Sequence, residues 1–167
     1  MRFIIALCLI LVACNPGKGG KNAHLNALKI DSQGYVAYVS YATHCPNCLR
    51  SRNALIMAAA AHPNIKWNVL LIDDSDTNAL PSKLFSTHED QAKPTAQILN
   101  LVVTPEIRLM HNGRTIYQGA ITNQNKELTQ GKLKATRNYL MEACIASTIN
   151  PDTSIQNQKA VGCFIEY

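Results

Sequence analysis

A chain of 167 residues with 47% hydrophobic and 16% charged residues has the length and apolar content for one packed core, and no internal repeat is visible. Its net charge of +5 is scattered, with no basic stripe interleaved with aromatics, so nucleic-acid binding gains no support. Six cysteines turn attention to thiol chemistry.

Met1-Arg2 is a short basic start, and the apolar run over residues 3–12 is too short to span a bilayer. It ends in Leu11-Val12-Ala13-Cys14, which resembles a bacterial lipobox, with a small residue before the cysteine that takes the lipid. Residues 1–13 are therefore predicted to be a lipoprotein signal peptide that carries Cys8 away, and Cys14 the lipidation site. An ordinary secretory signal cleaved nearby is the alternative, and either one takes the protein out of the cytoplasm. Several acyl chains on Cys14 would hold it on the periplasmic side of a bacterial membrane more firmly than one could. Residues 14–24, rich in glycine around Pro16, read as a flexible tether, and residues 25–167 as a single domain.

Tyr35–Tyr41 is an uncharged run of β-branched and aromatic residues, which predicts a buried strand. Residues 48–61, rich in alanine, leucine and methionine, predict a helix stopped by His62-Pro63. A second strand is predicted over 65–72, followed by a polar break from Asp73 to Asp76. Residues 78–91 read as a loop with one short helix, and 95–100 as another short helix. A strand over 106–110, the Asn112-Gly113 turn and a returning strand over 115–120 make a hairpin, because Asn-Gly readily supplies two positive φ angles. Leu133, Leu140, Met141, Cys144, Ile145 and Ile149 fall at helical spacing, which predicts a closing amphipathic helix over 133–149. The resulting class is α/β: one domain with a central mixed sheet flanked by helices.

Between the first strand and the first helix stands Cys45-Pro46-Asn47-Cys48. A CxxC at this place beside a βαβ pattern is a thioredoxin-like redox signal. At a helix start, unpaired N–H groups and the macrodipole favour a thiolate, the nucleophile of disulfide exchange. Cys45 is the expected attacking thiol and Cys48 the resolving one. His44 either tunes the thiolate or is a surface histidine without a role, and Arg50 and Arg52 either add positive potential or are solvated. Thr104-Pro105, just before the hairpin, is expected to be a cis bond that leaves a backbone edge open to a substrate strand. Glu106 is either a proton acceptor near Cys48 or, as expected, a solvated acid.

The lead into the CxxC, the segment Val102-Val103-Thr104-Pro105-Glu106 and the run from Asn112 through Tyr117-Gln118-Gly119 to Ile121 resemble the thioredoxin-like superfamily. Within it they look most like the redoxin branch, of the alkyl hydroperoxide reductase and thiol-specific antioxidant type, with which the Gly162-Cys163-Phe164-Ile165 tail also agrees. The resemblance runs with gaps from Tyr35 to Tyr167 and implies a thiol–disulfide oxidoreductase. Two departures limit it. The Pro-x-x-x-Thr-x-x-Cys motif of peroxiredoxins is missing, since Thr43 stands two residues before Cys45, which demotes a thiol peroxidase. Where thioredoxins keep a buried acid, six residues before the first cysteine, this chain has Val39.

Cys144, on an apolar helical face, is expected to be a core residue. Cys163 has three open readings: a disulfide with Cys144, an additional redox thiol working with Cys45 or Cys48, or a free thiol. The main rival class is binding or delivery of copper or another soft metal through Cys45, Cys48, His44 and Cys163. One CxxC is only half of a structural zinc site, and no metal or other cofactor is predicted. The expected partners are protein thiols or disulfides and a partner that recharges the pair.

Overall fold

The computed structural model describes residues 28–74, 78–131 and 134–167. The signal peptide, Cys14 and the tether expected from the sequence lie outside the described residues.

The first strand, β1 (Tyr35–Tyr41), is buried from Val36 onward, so both of its faces must be covered. It leads through Cys45 into helix α1 (Pro46–Ala61), which starts two residues earlier than expected because Pro46 occupies the first helical position. β2 (Ile65–Leu71) returns parallel to β1, as a right-sized βαβ crossover requires. The predicted loop after it holds a strand instead, β3 (Ser86–Glu89), parallel to β2. Its sequence, Ser-Thr-His-Glu, is polar and half-exposed at a sheet edge, so no apolar alternation marks it.

Helix α2 (Pro94–Ile98) and the two-residue strand β4 (Val103–Thr104) bring the chain to Pro105. The hairpin follows as β5 (Glu106–His111) and β6 (Arg114–Gly119), with Asn112 and Gly113 at φ of 47° and 78° in its turn. A short polar helix, α3 (Gln124–Thr129), was not foreseen. The closing helix, α4 (Tyr139–Ile149), is shorter than predicted. It begins where Asn138 takes an extended backbone and its side chain accepts the Met141 N–H at 3.0 Å. A last strand, β7 (Cys163–Phe164), pairs antiparallel with β4.

The main sheet runs β3-β2-β1-β5-β6, with β5 antiparallel to both neighbours. The period-two geometry of β1 divides its side chains between two apolar layers. Ala37, Val39 and Tyr41 pack with Leu55 and Ala58 of α1 and Leu140 and Ala143 of α4. Val36 and Tyr38 face the other way, onto Leu70, Ala96, Leu99, Met110 and Ile165. An uncharged strand is what a sheet covered on both faces demands.

After α4 the chain runs back along the edge of β6. The Ile155 N–H donates to the Ile116 carbonyl at 3.2 Å, and the Ala120 N–H donates to the Gln158 carbonyl at 2.8 Å. Gly119 makes this approach possible, since a Cβ there would stand 1.8 Å from the Gln158 carbonyl oxygen. The segment thus covers an edge that would otherwise present unpaired backbone groups, and it delivers β7 to β4.

Candidate redox site

Cys45 is the residue at the amino-terminal cap of α1, with an extended backbone (φ −81°, ψ 117°) and no acidic residue in the turn that follows. Its carbonyl accepts the N–H groups of Cys48 at 3.0 Å and Leu49 at 3.2 Å. Its sulfur lies at the positive end of a 16-residue helix. The side chain is 2% exposed and donates to the Thr104 carbonyl at 3.1 Å. Cys48, one turn on, is fully buried, and its sulfur accepts the Ala42 N–H at 3.4 Å.

These surroundings separate the two thiols. Burial alone would push Cys45 up. The thiol of Cys163, the Thr104 side chain and the N–H groups of Cys48 and Cys163 hydrogen-bond its sulfur and win, bringing it from 9.0 to about 7. Cys48 goes the other way: burial, followed by the negative charge of Cys45, holds it far above the ordinary thiol value, although the Ala42 N–H works against both. The pair therefore has one thiol poised to ionise near neutrality and one that keeps its proton, the division of labour that attack and resolution require.

Across the site, the Thr104–Pro105 bond is cis, as expected. Ser40 of β1, fully buried, anchors this corner: its hydroxyl donates to the Val103 carbonyl at 2.7 Å and accepts the Glu106 N–H at 3.1 Å. Glu106 corrects the expectation of a solvated acid. It is 6% exposed, and its carboxylate accepts the Val102 N–H at 2.7 Å and the Gln118 side chain at 3.3 Å. With its oxygens occupied in this way, it braces the loop in front of Pro105; no contact with Cys48 is seen.

Cys163 stands beside Cys45. The pairing of β7 with β4 sets Cys163 opposite Thr104, and Cys45, Cys163, His44, Asp73 and Phe164 line one cavity of about 300 Å³. All four described cysteines are free. Of the three readings of Cys163, a disulfide with Cys144 is not the one seen here. Cys144 is buried in the helix-side core as expected, and burial alone raises its thiol to about 12. His44 is exposed at the cavity rim, with its ring 3.5 Å from the Thr43 hydroxyl. Arg52 donates to the Ala79 carbonyl and Arg50 to the Asn47 side chain. Val39 lies in the core where a buried acid was found missing.

Sequence reasoning missed three groups here. Ser40 looked like one polar residue in an apolar strand. The Tyr41 hydroxyl is buried without a partner among the described residues, and burial followed by the charge of nearby Cys48 raises it to about 12. Asp73 has a buried carboxylate oxygen, also unpartnered among the described residues, at the cavity wall. The only signal for any of them was position: each sits at the carboxyl end of β1 or just past β2, where open α/β sheets place their sites. Among the described residues, no three His, Cys, Asp or Glu side chains come together to hold a metal ion.

No family model matches the chain, and no curated protein does. Solved structures do. An uncharacterized conserved protein from Geobacillus kaustophilus superposes with a TM-score of 0.60 at 14% identity, over 81% of this chain and 78% of that one. A hypothetical protein from Sinorhizobium meliloti 1021 gives 0.60 at 15% identity, over 81% of each chain. DsbF of Mycobacterium tuberculosis, in mixed oxidized and reduced forms, gives 0.49 at 15% identity, over 68% of this chain and 80% of its own. At such identities the likeness is one of architecture. With β1-α1-β2 parallel, a hairpin entered through a cis-proline and a closing helix, the chain has a thioredoxin-like fold.

Proposed function

We propose that the protein is a thiol–disulfide oxidoreductase that acts on protein thiols outside the cytoplasm, held to a membrane by lipid on Cys14. The observation that carries the reading is the opposed pair at the start of α1: a cap thiol brought down to about 7 and a buried thiol one turn away held well above the ordinary value. Only the Cys45 thiolate is available near neutrality to open a disulfide, and Cys48 is the neighbour that closes on it. Thr104 lines the cavity beside Cys45, Pro105 follows it across the cis bond, and His44 lies at the rim. The lipid anchor rests on the Leu11-Val12-Ala13-Cys14 sequence, and the extracytoplasmic setting agrees with a site built for reversible disulfides.

The test is to trap the intermediate. Because Cys163 also lies at Cys45, the trapping variant carries Cys48→Ser together with Cys163→Ala. It should accumulate a mixed disulfide with a protein substrate, and adding Cys45→Ser should abolish the adduct. No adduct in either variant would overturn the reading. The direction of electron flow follows from the potential of the Cys45–Cys48 couple. A potential below the glutathione pool marks a reductase fed by a recharging partner, and one well above it an oxidase.

A further inference from the structure

β7 adds a strand to the free edge of β4, with Cys163 opposite Thr104 and Phe164 opposite Val103. That edge faces the CxxC, and added-strand pairing is how sheet edges take up extended peptides. The chain itself fills the place. The fit is close: a Cβ on Gly162 would stand 1.9 Å from the Thr104 carbonyl oxygen, so a side chain there cannot be accommodated without moving the strand. Ile165 fixes the register by burying its side chain in the second apolar layer while its N–H donates to the Val102 carbonyl at 3.0 Å. The Tyr167 hydroxyl donates to the Leu101 carbonyl and the Lys93 ammonium to the Glu166 carbonyl. Seated this way, Cys163 turns its thiol and its N–H to the Cys45 sulfur, while its other side stays open to solvent.

We propose that Cys163 is a third redox thiol and that β7 is a substrate strand carried by the chain itself, so that Cys45 forms a disulfide with Cys163 as well as with Cys48. The proposal rests on Cys45 being the attacking thiol of the oxidoreductase described above. The Cys45 thiolate attacks a disulfide R–S–S–R′, forms Cys45–S–S–R and releases R′S⁻, which takes up a proton. The Cys163 thiol loses its proton and attacks the Cys45 sulfur, forming Cys45–Cys163 and releasing RSH. Two cysteines are oxidised and one disulfide is reduced to two thiols. Attack of Cys48 on Cys45 then frees Cys163 and leaves Cys45–Cys48, with no net change in electrons. Access favours Cys163 as the first resolver, because Cys48 is fully buried.

The test oxidises the reduced full chain with glutathione disulfide, quenches in acid, alkylates the free thiols and maps linked peptides by mass. Cys48→Ser should lose both free thiols at Cys45 and Cys163 and yield a linked Cys45–Cys163 peptide within a monomer, carrying no glutathione. Gly162→Val should form that link about tenfold more slowly or worse, while still forming Cys45–Cys48. The wild-type chain, sampled early, should show Cys45–Cys163 ahead of Cys45–Cys48. The proposal is overturned if Cys48→Ser keeps glutathione on Cys45 with Cys163 alkylated, if Cys163 links to Cys144 or only to another molecule, or if the wild type shows no Cys45–Cys163 at any time. Cys163→Ala separates the two claims: if it fails to form Cys45–Cys48, the oxidoreductase reading itself is lost, whereas normal formation leaves that reading intact whatever Cys163 does.

Discussion

Cys45 owes its low value to neighbours that can be removed singly. Its thiolate is the reactive form, so alkylation should rise with pH through a midpoint near 7 and fall about tenfold for each unit well below it. Following the Cys45 peptide with iodoacetamide across pH tests this. Cys163→Ala and Thr104→Val each remove a donor to the sulfur, so each should move the midpoint upward toward 9.0. A midpoint unmoved by either would assign the depression to the helix end alone. Ser40 makes a second prediction at this scale. Ser40→Ala leaves the Glu106 N–H and the Val103 carbonyl buried without the bridging hydroxyl, which should cost about 1–3 kcal/mol in urea unfolding. Cys45 and Cys48 could be read directly, because CxxC is a local pattern. Ser40 and Glu106 could not, because what they hold lies across the sheet and is near only after folding.

At the scale of elements, legibility followed burial. β1, β2, α1 and the hairpin carry apolar runs, helix formers or an Asn-Gly turn, and each was found within one or two residues of where the pattern placed it. β3 and α3 are short and polar, and their place is set by pairing and by neighbours, so no periodicity announces them. The closing helix was placed too early because apolar spacing cannot see a cap. Asn138 ends the preceding segment by taking up the Met141 N–H, and Asn138→Ala should lower stability by about 1 kcal/mol, measured by thermal or urea unfolding. β7 was legible only as a cysteine with an open role. Two residues of strand carry no pattern, and their register is dictated by Gly162 and Ile165 meeting surfaces built elsewhere in the chain.

Across the whole molecule, the residues following α4 close two edges in succession, first β6 and then β4. No helix among the described residues is long and apolar enough to cross a membrane. The pairing of β7 with β4 has a further consequence, in the unfolded chain. A Cys45–Cys48 bond closes a ring of a few residues and hardly restricts a random coil. A Cys45–Cys163 bond would tie a loop of about 120 residues, and loop-closure arguments assign such a tie roughly 4–5 kcal/mol of lost coil entropy. The two oxidised forms hold the same number of electrons, yet they should melt at different temperatures. Heat resistance would then report which thiol Cys45 last joined.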